Sequence, residues 1–215
     1  MTEGAFQVIR IYIARHGETT WNAEMRIQGR SDTPLSPKGH AQSLDLLAHL
    51  KDRPIAAIYT SALQRSIQTA QPVARHFGLP LHEKAELNEM AFGILEGKQL
   101  ADMDETMRVE WERFKENRST YRISSAESYT DVANRVQPFT EEILRQHGGQ
   151  AILIVGHRVV NRMLIGFFLE CGLGQAARIE QSNGCIYLIQ RNGEAKVYYF
   201  LDGEMREGLL LQGQR

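Results

Sequence analysis

Val8-Ile9-Arg10-Ile11-Tyr12-Ile13-Ala14-Arg15-His16-Gly17-Glu18 is the stretch whose reading decides the fold. Residues 8–14 are short, apolar and β-branched, and Gly17 follows them, which is how a buried strand reads. Two further runs read the same way. Residues 55–59 are one, and Ala151-Ile152-Leu153-Ile154-Val155 is the clearest. Helical patterns lie between them. Ser36-Pro37 supplies an N-cap and a first-turn proline, followed by Ala41, Leu44, Leu47, Ala48 and Leu50 as a helical stripe. Ser61 is expected to cap the next helix. Leu63, Ile67, Ala70, Ala74 and Phe77 then face inward, Gly78 is a stop, and Pro72 is expected to kink or restart the helix.

Residues 79–81 read as a weak third strand. Residues 102–117 read as a charged helix with Met103, Met107, Trp111 and Phe114 on one side. Ser128 opens another helix with Asp131 placed for a capping box, and Val132, Val136, Phe139 and Ile143 form its stripe. A helix is expected over residues 159–170. Residues 185–190 and 196–201 flank Asn192-Gly193, a hairpin signal. Strands alternating with helices predict an α/β fold, three layers α/β/α with a mostly parallel central sheet. The terminal hairpin makes part of that sheet antiparallel. Residues 1–215 read as one domain, in which residues 90–126 form a helical cap over the site. In the tail 204–215, Leu209-Leu210-Leu211 favours packing.

Open α/β sheets bind ligands beyond the carboxyl ends of their strands. The first strand ends at Arg15-His16. The second leads to Ser61 and, one helical turn on, Arg65. The strand of residues 151–155 ends at Gly156-His157. Two histidines and two arginines are therefore expected on one sheet edge. Taken singly, an arginine at a helix start is usually solvated, and a lone histidine is usually a packed or exposed side chain. Their coincidence is harder to explain that way.

The ordered series resembles the histidine phosphatase superfamily, also called phosphoglycerate mutase-like, over nearly the whole chain. It comprises Arg15-His16-Gly17-Glu18 with Trp21-Asn22 and Gln28-Gly29, then Leu35-Ser36 and Gly39, Tyr59-Thr60-Ser61, Arg65 and Thr69-Ala70. Leu87-Asn88-Glu89 follows, with Phe92-Gly93 and Glu96-Gly97, and finally Gly156-His157 with Arg162. The resemblance implies that His16 is a nucleophile that becomes a phosphohistidine. Arg15 and Arg65 would grip the phosphoryl oxygens, a task suited to a planar fork of donors. His157 would donate to the same oxygens and Asn22 would add a neutral donor. Glu89 would be the proton donor to the leaving oxygen and then deprotonate water. Gln28 would touch substrate.

Two departures from the family pattern stand out. Ser124-Ser125-Ala126-Glu127-Ser128 lacks the glycines of the usual Gly-Gly-Glu-Ser, which leaves the shape of that loop open. Arg158 stands where small residues are common. It adds positive charge at the pocket rim and would favour a second anionic group on the substrate, or it is solvent-exposed.

The expected activity is that of a metal-independent phosphoric monoester hydrolase of the histidine acid phosphatase type, acting on a small phosphorylated metabolite. The alternatives are a cofactor-dependent phosphoglycerate mutase and a non-catalytic phosphate-binding regulatory module. Against the mutase, the run from Glu89 to Gly97 looks like the phosphatase branch. Against the module, the nucleophile, arginines, second histidine and acid are all present. No cofactor is expected. No metal site is expected either, since His40, His49, His76, His82 and His147 are scattered without ligand spacing. Partners are expected to be a small phosphorylated substrate or inorganic phosphate.

Composition narrows the remaining classes. With 25 Lys and Arg against 26 Asp and Glu, the formal net charge is −1. Neither nucleic acid nor an acidic membrane surface is an expected partner. Two cysteines, Cys171 and Cys185, are too few for a disulfide framework and are expected as buried reduced thiols. Residues 8–14 lack the flanks of a secretory leader, and no apolar run approaches membrane-helix length. A soluble, cytoplasmic protein is expected. Oligomeric state is left open, a homodimer included.

Overall fold

The computed structural model describes residues 7–213. The opening run forms β1, Ile9–Arg15, and becomes the centre of the sheet. A one-turn helix α1, Thr20–Ala23, follows, closed by a capping box between Thr19 and Asn22. Next come α2 (Pro37–Leu50), β2 (Ile55–Thr60), α3 (Gln64–Phe77) and β3 (Leu81–Glu83). Residues 90–126 contribute α4, Glu105–Glu116. The chain then runs through α5 (Tyr129–Gln146), β4 (Ala151–Gly156), α6 (Arg158–Phe168) and α7 (Leu173–Ala176). It finishes with β5 (Ile186–Asn192), β6 (Glu194–Leu201) and β7 (Glu204–Glu207).

The strands form a seven-stranded sheet in the order β3-β2-β4-β1-β5-β6-β7. The first four neighbours pair in parallel, and β5, β6 and β7 pair antiparallel. Successive strand residues point to opposite faces, so β1 feeds two cores. Tyr12 and Ala14 pack with Leu46, Leu50, Val73 and Ala74 of α2 and α3. Ile11 and Ile13 pack with Val132, Val136, Phe139 and Val160 of α5 and α6. This is the three-layer α/β/α arrangement with a parallel core.

Local signals were largely realised. Ser36 caps α2 and Pro37 occupies its first turn. Ser128 and Asp131 make the capping box of α5, whose four stripe residues are all buried. Gly78, at φ 65°, ends α3. Other expectations are corrected. The buried face of α2 is Gly39, Ser43, Leu46 and Leu50, while Leu44 is exposed. Gly39 stands on that face because α2 lies close against Gly17 and Glu18 of the loop after β1. Ser61 is not the cap of α3, which starts from Leu63 without a side-chain cap. Pro72 sits inside one unbroken helix. β3 lies two residues later than expected. Cys185 is buried, and burial pushes its thiol up to about 12, but Cys171 is only half-buried.

Residues 90–126 contain two 3-10 turns, Gly93–Leu95 and Leu100–Asp102, besides α4. Leu95, Met103, Phe114 and Ile123 join the core that holds Tyr129 and Val132. Of the tail, β7 extends the sheet, Leu211 bridges to Ile179, and Leu210 is buried. Among the described residues, no helix is long and apolar enough to cross a membrane.

Candidate active site

Register builds the site. β1 and β4 run parallel with Arg15 opposite Gly156, so the next residues of the two strands, His16 and His157, lie side by side. Their ring centroids are 5.1 Å apart. On the other side of β4, Thr60 of β2 pairs with Val155, which brings Ser61 next to His157. Three consecutive strands in the order β2-β4-β1 thus deliver Ser61, His157 and His16 in a row at one edge.

His16 is 3% exposed. Its Nδ1 lies 2.8 Å from the carbonyl oxygen of Gly17. A carbonyl only accepts, so Nδ1 carries the proton and Nε2 keeps its lone pair. Burial holds the His16 pKa well below its ordinary value, with Arg15 and Arg65 adding to the shift. The ring is therefore neutral at physiological pH. Gly17 is required there because α2 lies close. A Cβ on Gly17 would sit 2.5 Å from the carbonyl oxygen of Gly39. The Gly17 N–H donates to Thr69 Oγ1 of α3 at 2.9 Å.

Arg65 is completely buried. Its Nε donates to His157 Nδ1 at 3.3 Å, Nη1 to Ser31 O at 2.8 Å and Nη2 to Gly29 O at 2.6 Å. A guanidinium has five N–H donors, so one on Nη2 is left for a ligand, while Nη1 also lies 3.6 Å from Asp32 Oδ1. Glu96 shapes the loop that holds Arg65. It accepts from the backbone N–H groups of Arg30, Ser31 and Phe92 and from the Ser31 hydroxyl. Burial pushes the Glu96 carboxyl up, but those hydrogen bonds outweigh it and hold it below its usual value. With Nδ1 of His157 accepting from Arg65, its Nε2 donates to Ser61 Oγ at 2.7 Å. His157 is also held well below its ordinary pKa, by burial first and then by Arg65, His16 and Arg15.

Arg15 is the open-handed cation. Its Nη1 donates to Gln181 O at 3.4 Å, and its Nε is buried with no partner among the described residues. Burial, Arg158, Arg162 and Arg65 draw its pKa down to about 10, against an opposing pull from Glu89. A buried guanidinium nitrogen without an acceptor is costly, and an incoming anion relieves that cost.

Glu89 is 5% exposed. Its Oε1 accepts from the Met90 N–H at 2.8 Å and its Oε2 from the Val159 N–H at 3.4 Å. The segment that carries it is clamped from α5. Arg135 donates to the carbonyls of Glu86 and Asn88, while Glu127 takes the Ala91 N–H at 2.9 Å and pairs with Arg135 at 2.9 Å.

A cavity of about 390 Å³ opens over these groups. Arg15, His16, Asn22, Gln28, Glu89 and Arg158 all line it, and Arg65 and His157 stand buried behind them. Asn22 and Gln28 form a polar wall, with Gln28 Oε1 accepting from Thr19 Oγ1 at 2.9 Å and Asn22 Nδ2 at 3.3 Å. The apolar wall is Ile27, Phe92, Trp111 and Val159, with Met25 and Leu100 exposed at the mouth. Of the cap residues Met103, Met107, Trp111 and Tyr121, only Trp111 reaches the cavity. Arg158 is at the rim, 3.2 Å from Glu180. Among the described residues, no group of three or more His, Cys, Asp and Glu is arranged to hold a metal ion.

Sequence reasoning missed several supports. Asn183 lines the cavity and donates to His16 O at 2.6 Å. Asn161 ties Ala14 O to Gln181, whose amide also reaches Ile13 O. These contacts span long sequence separations and leave no local signal. In the loop that lacks the glycines, Ser125 itself takes the left-handed conformation, at φ 61°, at a cost of about 1 kcal/mol of backbone strain.

A family model described as the histidine phosphatase superfamily (branch 1) matches residues 11–201. A Shigella boydii protein named "Probable phosphoglycerate mutase GpmB" is 32% identical over 177 residues, 82% of each chain. Among solved structures, Bacillus stearothermophilus YhfR is 28% identical with a TM-score of 0.79, over 95% of this chain and 96% of that one. The α-ribazole phosphatase of Shigella flexneri is 26% identical with a TM-score of 0.76, over 94% and 96%.

Proposed function

The chain belongs to the histidine phosphatase superfamily (branch 1), and on that footing we propose that it is a metal-independent phosphomonoesterase working through a phosphohistidine on His16. The observation that carries the reading is the hydrogen bond from His16 Nδ1 to Gly17 O beside the buried Arg65 and the half-buried Arg15. It leaves a neutral imidazole with its lone pair on Nε2. In the first step, Nε2 attacks phosphorus and the ester oxygen leaves with a proton from Glu89. In the second, Glu89 as carboxylate takes a proton from water, which attacks phosphorus and breaks the N–P bond. Charge on the transferring group is met by the free donors of Arg15 and Arg65, and such stabilisation is most of what phosphoryl transfer needs. Asn22 adds a neutral donor. His157 stays neutral, and it donates by turning its Nε2–H from Ser61 Oγ to a phosphoryl oxygen, with no change of protonation.

Transfer back to a phosphoglycerate is the second reading, favoured by the name of the Shigella boydii relative. The wide cavity mouth at Met25 and Leu100 favours water as acceptor, because it lets the alcohol leave. The name of the Shigella flexneri relative also supports hydrolysis. The test is phosphate release from 4-nitrophenyl phosphate and from sugar phosphates with a chelator present, alongside interconversion of 2- and 3-phosphoglycerate. Release without interconversion is expected. Interconversion faster than release makes the chain a mutase, and loss of all activity in chelator ends the metal-free reading.

A further inference from the structure

The catalytic cavity does not end at its phosphoryl pole. It shares Phe92, Trp111, Arg158 and Val159 with a second recess of about 180 Å³, to which Arg118 and Gln212 contribute. Three arginines converge on this recess: Arg118, Arg158 and Arg162. Glu180 pairs with two of them, at 3.2 Å from Arg158 and 3.3 Å from Arg162. Arg118 has no such partner. Its Nε is buried without a hydrogen bond, and its guanidinium forms no ion pair among the described residues. The recess therefore gathers three cations against the single carboxylate of Glu180, and a buried donor with nothing to give its proton to. Burial of such a donor is unfavourable unless a ligand supplies an acceptor. The shared aromatic pair, Phe92 and Trp111, stands where the recess meets the phosphoryl end.

We infer that this recess is a second anion subsite, for a carboxylate or phosphate on the leaving group of the ester whose reacting phosphate faces His16. The inference rests on the reading of His16 as the phosphoryl-accepting residue. The substrate class is then a phosphomonoester with a distal anionic group, joined to the ester oxygen by a stretch that packs against Phe92 and Trp111. Arg118 supplies the unpaired donor, and Arg158 adds charge without being free, since Glu180 holds it.

The test is a binding comparison in the His16→Ala protein, which does not turn over. Calorimetry measures the affinities of n-alkyl phosphates of two to six carbons and of ω-carboxyalkyl phosphates of the same lengths. The carboxylated members are expected to bind on the order of tenfold tighter at the longer lengths and with little advantage at the shortest, as a charge-assisted hydrogen bond implies. Adding Arg118→Gln removes most of that advantage, and Arg118→Lys restores part of it. Equal affinities at every length, no binding by either series, or an advantage that survives Arg118→Gln overturns the subsite. Failure of the wild-type protein to release phosphate from any ester overturns the proposed hydrolysis instead, and this binding comparison is read separately from it.

Discussion

His16 presents Nδ1 to the carbonyl oxygen of Gly17, the next residue in the chain, at 2.8 Å. That contact assigns the proton and leaves the lone pair on Nε2, so the proposed nucleophile depends on a backbone carbonyl whose position depends on the absence of a side chain. A methyl group at position 17 would meet Gly39 O at 2.5 Å, which is closer than carbon and oxygen pack. Gly17→Ala is therefore expected to push this loop off α2 and turn the carbonyl. The expected result is a fall in kcat/KM of about a hundredfold, the scale of a small misplacement at a reacting centre. Circular dichroism should still show a folded chain. Unchanged kcat/KM would show that the carbonyl does not set the ring.

Glu89 is expected to matter in proportion to how badly the leaving oxygen needs a proton. Glu89→Gln should slow alkyl and sugar phosphates by about 10²–10⁴-fold, and 4-nitrophenyl phosphate far less. A plot of log kcat/KM against leaving-group pKa should become steeper in the variant. Equal losses across the series would remove the acid role.

The clamp from α5 is expected to act on rate through Glu89 and not through phosphate binding. Arg135 holds the carbonyls of Glu86 and Asn88, and its partner Glu127 holds the Ala91 N–H. Arg135→Met should cost on the order of 2 kcal/mol of stability, the lower range for breaking a partly buried pair. It should also lower kcat while leaving the inhibition constant of inorganic phosphate near its wild-type value. The steeper leaving-group dependence of Glu89→Gln should reappear in it. A stability loss without that signature would make the clamp structural only.

Stability should depend on pH through the two buried histidines. Both His16 and His157 lie well below 6.5 in the folded chain, chiefly through burial. The unfolded chain therefore takes up protons first as pH falls. Their contribution is fully retained above about pH 6.5 and is lost as pH drops from there toward the folded-state values. The melting temperature should decline on that acid side, and less in His157→Gln than in wild type. Parallel curves for the two proteins would contradict neutral burial of His157.

The chemistry of the sheet edge was legible because it is local. Arg15-His16, Ser61 and Gly156-His157 each follow a β-branched run, and a parallel sheet brings such ends together. The caps Ser36 and Ser128 were legible because capping acts within three residues. The face of α2 was misread because its first turn meets a backbone loop, which selects Gly39 at a place a hydrophobic count passes over, while Leu44 is left exposed. Ser61 was misread as a cap because the same hydroxyl that could cap a helix can also take the proton of His157. Glu96, Arg135, Gln181 and Asn183 act across dozens of residues onto backbone groups, and no spacing rule marks such contacts. Arg118, just past the charged run of residues 102–117, carries no signal of its own in the sequence, and only folding sets it beside Arg158 and Arg162.

The central claim is that His16 carries the phosphoryl group. Rapid mixing with labelled 4-nitrophenyl phosphate, followed by quenching in base, tests it directly. Wild-type protein should hold a label that survives base and is released by acid, as a phosphoramidate is, and His16→Ala should hold none. A label of the same stability retained in folded His16→Ala would place the nucleophile elsewhere and contradict the account.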